Sequence, residues 1–536
     1  MDTELTITAV LRRAEQFSPR REVVSREPDR SLHRSDWAGV GRRARRLASA
    51  LQGFHLAPDT RVASLCWSHR QHLELYYGVP MAGLVLHPLN PRLHHEDIAW
   101  IATHARDAVL FVDASFLPLL EHLRATADGV PFDRVVVIGG SGDAHAGAVD
   151  YEELLATGEE QWTPAEIDEH ATALLGYTSG TTGRPKGVEV SHRALVLHAL
   201  SSSLQGWLGL RDEDVVMPVV PMYHALAWGW PYTSALLGAG LVLPGPFLDA
   251  ASLLELIEDE QVTMTGGVPT VWTSVLRELD AAPGKHDVSR LRAILSGGST
   301  APPTMIEGFR DRHGLTVVHT WGMTELIMGL IAEPGVQERA LPPGELESVR
   351  HSQGRPLPLL EIRARAEDVE VPWDATTLGE LEIRGPWVAR EYLEAPEASA
   401  EQWTADGWFR TGDIVTIDPR GWVRIADRAK DVVKSGGEWI STPALENAIL
   451  AHPAVAEAAV IGVVDEKWGE RPLALVVTHP DRRVTPEELR AFIAPSVARW
   501  WLPERITLVE AIPKTAVGKI DKRGLRATYA PIGDPS

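Results

Sequence analysis

The sequence is poor in cysteine and lacks a long apolar run, and each absence excludes a class of protein. Cys66 is the single cysteine among 536 residues, so no disulfide can form within the chain, which is typical of a reducing compartment. No uncharged apolar stretch reaches about 18 residues, which argues against stable insertion in a membrane. The N-terminal segment MDTELTITAVLRRAEQF also lacks the apolar core of a signal peptide. These absences predict a soluble, cytoplasmic protein.

A basic excess is missing as well. The formal net charge is −21, whereas proteins that bind nucleic acids or anionic membranes normally carry a positive surface. We therefore expect neither as a main partner. Any anionic ligand has to be held by local basic groups against the overall charge. The length predicts two to four domains, or one large domain with an appendage.

Short β-rich runs alternate with helical patterns in the first part of the chain. Strands are predicted over residues 61–67, 83–89, 108–113 and 134–140, and a helix over 94–105. The same pattern resumes near Leu174 and continues to about residue 300. Such alternation is typical of an α/β fold with mostly parallel, helix-covered sheets.

The pattern changes twice in the last third of the chain. Apolar and polar residues alternate over residues 344–428, which predicts a β-rich subdomain of antiparallel strands. From residue 429 a unit of roughly a hundred residues mixes strands and helices, enough to fold alone. Its first helix is expected to have Thr442 as N-cap and Pro443 at the first helical position. The predicted domains are therefore 1–428, which is large, and 429–536, which is small, mobile and α+β.

The segment GYTSGTTGRPKGVEVSH, residues 176–192, is similar to a phosphate-binding loop but departs from the Walker pattern. Pro185 stands where the second glycine is expected, and Gly187 where a magnesium-binding Ser or Thr is expected. A strand follows the loop, with Ser191 as the N-cap of the next helix. Glycines and hydroxyls allow the backbone to curl around an anion. The density of hydroxyls favours phosphate binding over a flexible surface turn, and the candidate residues are Thr178, Ser179, Gly180, Thr181, Thr182, Gly183 and Lys186.

Two further segments carry side chains suited to a nucleotide. In VHTWGMTEL, residues 318–326, Trp321 is suited to stacking on a base, Thr324 to donating to a phosphate, and Glu325 to holding Mg²⁺. In GWFRTGDI, residues 407–414, Asp413 is suited to accepting from ribose hydroxyls. Taken alone, the first segment is better explained by a core tryptophan and a surface glutamate, and the second is a weak signal because Gly-Asp is a common turn.

Two segments lie at and beyond the predicted domain junction. In RIADRAKDVVKSGGEWIS, residues 424–441, Arg428 is within reach of ribose or phosphate, and Lys430 lies where a hinge has to bend. In IPKTAVGKIDKRGLR, residues 512–526, Lys519 lies in a glycine-containing loop. The alternatives are a solvated linker and a solvated terminal lysine.

Taken in order, the five segments resemble the adenylate-forming superfamily of acyl-CoA synthetases, nonribosomal-peptide adenylation domains and luciferases. The resemblance covers nearly the whole chain. The segments LHPLNPRLHHEDIAWI, GGVPTVW, GELEIRGPWVA and KSGGEWIS are most similar to bacterial medium- and long-chain fatty-acyl-CoA synthetases.

The resemblance implies a two-step reaction that uses ATP, Mg²⁺ and coenzyme A. A carboxylate first attacks the α-phosphate of ATP, giving an acyl-adenylate and pyrophosphate, and the thiol of coenzyme A then displaces AMP. One alternative is an amide-forming ligase that passes the acyl group to an amine. The other is a nucleotide-binding switch without turnover. The oligomeric state is left open, and a homodimer is one assembly that the sequence allows.

The resemblance also implies roles for single residues. The glycine-rich loop holds the β- and γ-phosphates, Trp321 replaces the usual tyrosine against adenine, and Asp413 and Arg428 bind ribose. Glu325, with Thr178, is the magnesium site. Lys519 bridges the carboxylate and the α-phosphate, and Lys430 is the hinge. The expected nucleotide site further includes Gly297, Gly298, Ser299, His319, Thr320, Gly322 and Thr324, while Lys434, Gly436, Gly437, Glu438 and Trp439 are expected near it in the second step.

The same resemblance implies an acyl site. His224 is expected near the carboxylate, unless it is an ordinary core histidine, and Trp228 is expected to gate the acyl tunnel. The site is also expected to include Gly322, Met323, Ile327 and Met328. Three places depart from the fatty-acyl pattern: Leu226 replaces Asn, Ile327-Met328 replace Ser-Pro, and Leu359-Leu360 replace Gly-Val. Because each change adds bulk or removes polarity, we expect a medium-chain, cyclic or aryl acid.

Overall fold

The computed structural model describes residues 3–126, 129–140, 147–164, 166–178, 184–204, 208–366, 369–435, 438–465, 467–514 and 520–529. Within these ranges the side chains of Ala225, Leu226, Lys434, Glu438 and Trp439 are not described. Several predicted site residues lie outside the described part of the chain, namely Ser179, Gly180, Thr181, Thr182, Gly183, Gly436, Gly437 and Lys519.

The strands are β1 (Glu22–Arg26), β2 (Leu32–Asp36), β3 (Arg61–Leu65), β4 (Val85–Pro88), β5 (Val109–Asp113), β6 (Arg134–Ile138), β7 (Val149–Asp150), β8 (Thr172–Tyr177), β9 (Gly187–Ser191), β10 (Val215–Pro218), β11 (Gly240–Leu243), β12 (Met264–Gly267), β13 (Ala293–Ser296), β14 (Val317–Trp321), β15 (Leu330–Ile331), β16 (Arg355–Pro356), β17 (Glu361–Ala366), β18 (Val369–Glu370), β19 (Gly379–Arg384), β20 (Phe409–Ile417), β21 (Val423–Arg428), β22 (Val433–Ser435), β23 (Glu438–Ile440), β24 (Val455–Asp465), β25 (Gly469–Thr478) and β26 (Arg505–Leu508).

The α-helices are α1 (Ile7–Phe17), α2 (Trp37–Gln52), α3 (Arg70–Met81), α4 (His95–Ala105), α5 (Leu117–Arg124), α6 (Tyr151–Ala156), α7 (His192–Ser203), α8 (Trp230–Leu237), α9 (Ala250–Asp259), α10 (Pro269–Ala281), α11 (Pro303–His313), α12 (Val336–Arg339), α13 (Pro343–Arg350), α14 (Pro396–Gln402), α15 (Thr442–Leu450), α16 (Pro486–Ile493) and α17 (Lys522–Tyr529). Short 3₁₀ helices cover Ala114–Phe116, Ala225–Gly229 and Arg499–Trp501.

Two large sheets form the first part of the chain. The seven-stranded sheet has the order β7-β6-β5-β3-β4-β8-β9, and the nine-stranded sheet has the order β16-β15-β14-β13-β12-β10-β11-β1-β2. Within them β9, β2, β15 and β16 pair antiparallel, and the other neighbouring strands pair parallel. All residues of β5 and β14 are buried, as expected for parallel strands covered on both faces. The predicted α/β class with mostly parallel sheets is confirmed.

The predicted β-rich segment contains the five-stranded antiparallel sheet β18-β17-β19-β20-β21. It begins with helix α13 rather than with a strand, because Pro343 occupies the first helical turn, a position that suits proline. The last unit is built on the long antiparallel pair β24 and β25, beside which β22 and β26 lie. It has an apolar core of its own, centred on residues such as Leu445, Val460 and Leu489.

The caps of two helices, α7 and α15, test the predictions made from the local sequence. Ser191 caps α7 by accepting from the amide of Ala194, as predicted. Helix α15 differs from the prediction, because Ser441 is its N-cap and Thr442 is its first helical residue. The Thr442 side chain instead donates to Asp427 Oδ2 at 2.7 Å, and this contact across the domain junction selects the serine as the cap.

A helix that crosses a membrane has to be both long and apolar. In the part of the chain that the structure describes, no helix combines the length and the hydropathy needed to cross a bilayer.

Candidate active site

The carboxyl ends of β12, β13 and β14 meet at one edge of the nine-stranded sheet. Ligands of open α/β sheets bind at such an edge. The first residues after two of these strands are Gly297 and Gly322, and both sit where the backbone is crowded. A Cβ on Gly297 would lie 2.8 Å from the carbonyl oxygen of Thr320, and one on Gly322 would lie 2.1 Å from that of Ile327. A side chain at either position would force the edge apart.

Three of the predicted nucleotide-binding residues are joined by hydrogen bonds. The indole Nε1 of Trp321 donates to Asp413 Oδ2 at 2.8 Å, and Arg428 Nε lies 2.6 Å from Asp413 Oδ1. Asp413 and Arg428 face each other on β20 and β21. The carboxylate of Asp413 is buried, whereas Arg428 is partly exposed. Asp413 therefore fixes the orientation of both the indole and the guanidinium at the edge of the sheet.

Glu325 lies in the turn after β14 and is buried. Its Oε1 accepts a hydrogen bond from the hydroxyl of Tyr392 at 2.7 Å. Burial raises the pKa of Glu325, while the bond from Tyr392 and the charges of Arg428 and Lys186 act in the opposite direction. The site therefore holds a carboxyl group whose charge depends on its basic neighbours.

Tyr392 is a site residue that the sequence reasoning missed. Besides bonding Glu325, its ring lies 4.8 Å from Lys186 Nζ, measured to the ring centroid, a distance that permits a cation–π contact. Burial and the charge of Glu325 raise the pKa of the Tyr392 phenol, so it remains a hydrogen-bond donor. Tyr392 lies in none of the five motifs, and its partner is 67 positions away. A local sequence signal for it is therefore lacking.

The two ends of the glycine-rich loop are held side by side. The amide of Thr178 donates to the carbonyl of Lys186 at 3.0 Å, and the amide of Lys186 donates to Thr178 Oγ1 at 3.1 Å. The next residue, Gly187, accepts from the amide of Leu393 at 2.9 Å. The structure thus places Lys186 beside Tyr392 and Glu325 and gives the hydroxyl of Thr178 a structural contact at the base of the loop.

The remaining residues predicted for this edge divide into two groups. His319 and Thr320 are buried in β14. His319 Nε2 accepts from the amide of Ala301 at 3.3 Å, and Thr320 Oγ1 donates to the carbonyl of Leu330 at 3.0 Å. Burial lowers the pKa of His319 to about 4, so the ring is neutral. Their side chains support the sheet, whereas the more exposed positions at the edge are Gly298, Ser299, Gly322, Met323 and Thr324.

Trp228, one of the predicted acyl-site residues, lies against this edge of the sheet. A Cβ on Gly266 would lie 3.4 Å from the indole of Trp228, and one on Gly297 would lie 3.2 Å from it. Trp228 therefore lies against β12 and the end of β13, and it is buried. It follows Ala227 in a left-handed backbone turn, with φ of 52° and 55°. His224 begins this turn, and its amide donates to Pro221 O at 2.9 Å.

The three departures from the fatty-acyl pattern have different outcomes. Ile327 and Met328 are buried behind Gly322, which agrees with added bulk near the site. The side chain of Leu226 lies outside the described residues. The expectation of added bulk near the substrate site is wrong for Leu359, because its side chain is 64% exposed and lies at the surface. Its φ of 77° is a conformation that favours glycine, the residue that is frequent there in the resembled pattern.

A buried polar cluster follows Arg428 at the predicted hinge. Thr442 binds Asp427, and Lys522 Nζ lies 2.9 Å from Glu446 Oε1. Burial alone would lower the pKa of Lys522, but the carboxylates of Glu446 and Asp427 raise it. Burial lowers the pKa of Lys430, which lies two residues after the end of β21. The last strand of the large unit is thus tied to the small unit through charged groups.

Comparison with known proteins identifies the family. Residues 11–393 match the model for AMP-binding enzymes, and residues 444–519 match that for the AMP-binding enzyme C-terminal domain. The chain is similar to the 3-methylmercaptopropionyl-CoA ligase of Ruegeria pomeroyi, with 42% identity over 98% of both chains. It is also 42% identical to the medium-chain-fatty-acid–CoA ligase of Ectopseudomonas oleovorans, over 99% of this chain and 97% of the other.

A solved structure supports the same assignment. The anthranilate CoA ligase AuaEII in complex with anthranoyl-AMP superimposes with a TM-score of 0.85 and 25% identity, over 97% of this chain and 96% of that one. Together with the full-length relatives, this match confirms the predicted fold, the use of ATP, Mg²⁺ and coenzyme A, and the predicted chemistry. The chain belongs to the AMP-binding enzyme family and is an ATP-dependent, AMP-forming ligase that activates an acyl group for transfer to coenzyme A.

Proposed function

We propose that the enzyme activates a medium-chain carboxylic acid, and that the edge described above holds the nucleotide. The observation that carries the proposal is the convergence of Trp321, Glu325, Asp413, Arg428 and Lys186 from separate segments of the chain. In this arrangement Asp413 and Arg428 contact the ribose, Trp321 contacts the base, and Lys186 contacts the outer phosphates. Relatives that act on medium-chain fatty acids and on 3-methylmercaptopropionate support an acyl group of moderate length.

The chemistry requires mainly positioning and charge neutralisation. Attack of a carboxylate on the α-phosphorus brings together two anionic groups, and fixed cations stabilise the charge that develops. Lys186 and Arg428 supply positive charge beside the buried carboxyl of Glu325. Lys519 is proposed as the residue that contacts both the α-phosphate and the substrate carboxylate. It is the last residue matched by the model of the C-terminal domain.

The residues present also fit a magnesium ion. Mg²⁺ prefers oxygen ligands and is usually bound by one or two carboxylates together with substrate phosphates. The buried carboxylate of Glu325 supplies such an oxygen, and the hydroxyl of Thr178 lies at the base of the phosphate loop. Glu325 and Thr178 would hold the ion, which when bound would neutralise phosphate charge.

The second half-reaction needs space for a thiol beside the acyl-adenylate. We propose that the small unit turns about Lys430, withdraws Lys519 and brings the segment from Lys434 to Trp439 towards the site. The position of Lys430 two residues after Arg428, the last residue of β21, supports this role, because a small rotation there moves the entire unit that follows.

A screen for pyrophosphate release tests the proposed substrate. The purified enzyme is given ATP, Mg²⁺ and a panel of straight-chain, cyclic and aryl acids, with and without coenzyme A. We expect the highest kcat/KM for medium-chain acids, and thioester formation only with coenzyme A present. A preference for aryl acids would overturn the substrate assignment. Amide formation from added amines in place of the thioester would overturn the acceptor.

Assembly and location are also proposals. We propose a homodimer in the cytoplasm. The single cysteine, Cys66, is buried as a free thiol, which is consistent with a reducing compartment. Light scattering of the purified enzyme measures the assembly, and a monomeric mass would reject the dimer.

A further inference from the structure

A cavity of about 470 Å³ lies along the face of the nine-stranded sheet that Trp228 contacts. Its floor includes Met264 of β12 and Ala293 and Leu295 of β13. Side chains two residues apart on a strand share a face, so these residues lie on the same face as Gly266 and Gly297. The cavity therefore lies on the face that the Trp228 indole covers, towards the amino-terminal ends of β12 and β13, so a path to it from the nucleotide edge runs past Trp228.

The register of the strands gives the length of this path. Gly266 pairs with Leu295, and Met264 pairs with Ala293. Gly297 is four residues beyond Ala293 on the same line, which corresponds to roughly 13 Å of strand. A chain that starts at the sheet edge and passes Trp228 thus reaches the far end of the cavity only if it is of medium length.

The cavity is apolar at its floor and charged at its mouth. Met264 and Leu295 are each 1% exposed. The mouth carries Arg211, whose side chain is 65% exposed, and Arg339, whose side chain is 57% exposed. Arg292 and Glu333 complete this charged rim. An alkyl chain that ended there would place its methyl group among guanidinium groups rather than in an apolar pocket.

The arginines of the rim differ in how firmly they are held. Arg292 binds both oxygens of Asp214 at 2.9 and 2.7 Å and also donates to the carbonyl of Gly209. Arg211 contacts Glu213 at 3.1 Å, and both side chains are exposed. Arg339 lies 3.5 Å from Glu333. The exposed pair of Arg211 and Glu213 is weak, so a ligand carboxylate can replace Glu213 there, whereas Glu333 beside Arg339 is only 26% exposed. Guanidinium groups match a carboxylate in two-point geometry.

We infer that the cavity receives the far end of the acyl chain and that Arg211 and Arg339 favour a second carboxylate there, so that medium-length α,ω-dicarboxylic acids are substrates. This inference rests on the proposed function, because the first carboxyl group still reacts at the nucleotide edge. The apolar floor holds the methylene chain, and the rim holds the second carboxylate. The reaction at the first carboxyl group is unchanged.

Two acids that differ only at the end away from the reacting carboxyl group test this inference separately from the proposed function. Pyrophosphate release is measured with decanoic and decanedioic acid, which differ only at the far end. The wild-type enzyme is expected to use the diacid at least as efficiently as the monoacid. In the Arg211→Leu/Arg339→Leu variant, kcat/KM for the diacid should fall about tenfold, the size expected for losing one charge-assisted hydrogen bond. The value for decanoic acid should stay the same or rise.

The control is Arg277→Leu, which removes an exposed arginine of α10 outside the cavity lining. It should leave kcat/KM unchanged for both acids. The inference is overturned if the wild-type enzyme uses decanoic acid but rejects the diacid. It is also overturned if the double substitution lowers kcat/KM equally for both acids. A different result, in which no straight-chain acid of any length releases pyrophosphate, would instead overturn the proposed function.

Discussion

At the scale of single residues, Gly322 shows how closely the backbone approaches itself at the sheet edge. A Cβ there would lie 2.1 Å from the carbonyl oxygen of Ile327 and 2.8 Å from the Cα of Met328. Both are main-chain atoms, so relief requires the turn that carries Glu325 to move. The close approach is a property of the folded backbone and has no counterpart in the local sequence.

Gly322→Ala is therefore expected to impair both stability and catalysis. Overpacking of this kind typically costs about 1–3 kcal/mol, and displacement of Glu325 should lower kcat/KM for ATP. Urea denaturation and pyrophosphate release measure the two effects. The control is Gly344→Ala in α13, where an added Cβ meets nothing within 4 Å, and a gain of about 0.5–1 kcal/mol is expected in a helix. Equal effects of the two substitutions would contradict this account.

The pair of Tyr392 and Glu325 predicts a pH dependence. Burial raises the pKa of Glu325, and the hydrogen bond from Tyr392 stabilises the charged form. Activity that needs the carboxylate is lost as pH falls through this raised pKa. Tyr392→Phe removes the donor, so the pKa of Glu325 should rise further.

The acid limb of kcat/KM for ATP should consequently move to higher pH in Tyr392→Phe. On that acid side the loss should be about tenfold, the size of one hydrogen bond to a charged group. Tyr529→Phe, in helix α17 of the small unit, serves as the control and should leave the profile unchanged. A uniform loss of activity at every pH, with no shift of the acid limb, would show that Tyr392 has only a packing role.

At the scale of elements, strands could be predicted from the sequence more closely than the site. Parallel strands such as β5 are buried on both faces, so continuous apolar runs mark them within a few residues. The cap of α15 could not be assigned, because Ser441 and Thr442 both carry hydroxyls, and Asp427, far from them in sequence, decides between them. The bond between Trp321 and Asp413 spans 92 positions, beyond the reach of any local pattern.

The junction between the two units also makes a prediction about stability. Lys522 and Glu446 form an ion pair at 2.9 Å with side chains only 14% and 12% exposed, next to buried Asp427. Removing one partner of a buried pair leaves uncompensated charge and typically costs about 3–5 kcal/mol. Lys522→Met should therefore strongly lower the free energy of unfolding, as measured in urea.

A matched control lies in the same unit. Lys514 and Glu457 also form a pair at 2.9 Å, but both side chains are 41% exposed. Exposed pairs contribute about 0–1 kcal/mol, so Lys514→Met should have little effect. If the two substitutions destabilised the protein equally, burial would not be the cause.

At the scale of the whole molecule, the proposed nucleotide edge and acyl path lie in the large unit, and the small unit contains Lys519, the lysine proposed for adenylate formation. The fold class could be predicted from the alternation of strand and helix patterns, and the family and its chemistry could be predicted from the resemblance that the five ordered motifs carry. The acyl group could not be predicted in this way, because its proposed path depends on the packing of Trp228 on β12 and the end of β13, which lie far apart in sequence.

The most direct test of the two-step account separates the half-reactions in Lys519→Ala. Carboxylate-dependent exchange of radiolabelled pyrophosphate into ATP reports adenylate formation, and thioester formation from a synthetic acyl-adenylate and coenzyme A reports the second step. The account predicts at least about a hundredfold loss of exchange, the effect of removing one charge-stabilising group, with thioester formation largely retained. Intact exchange with loss of only the thioester step would contradict it.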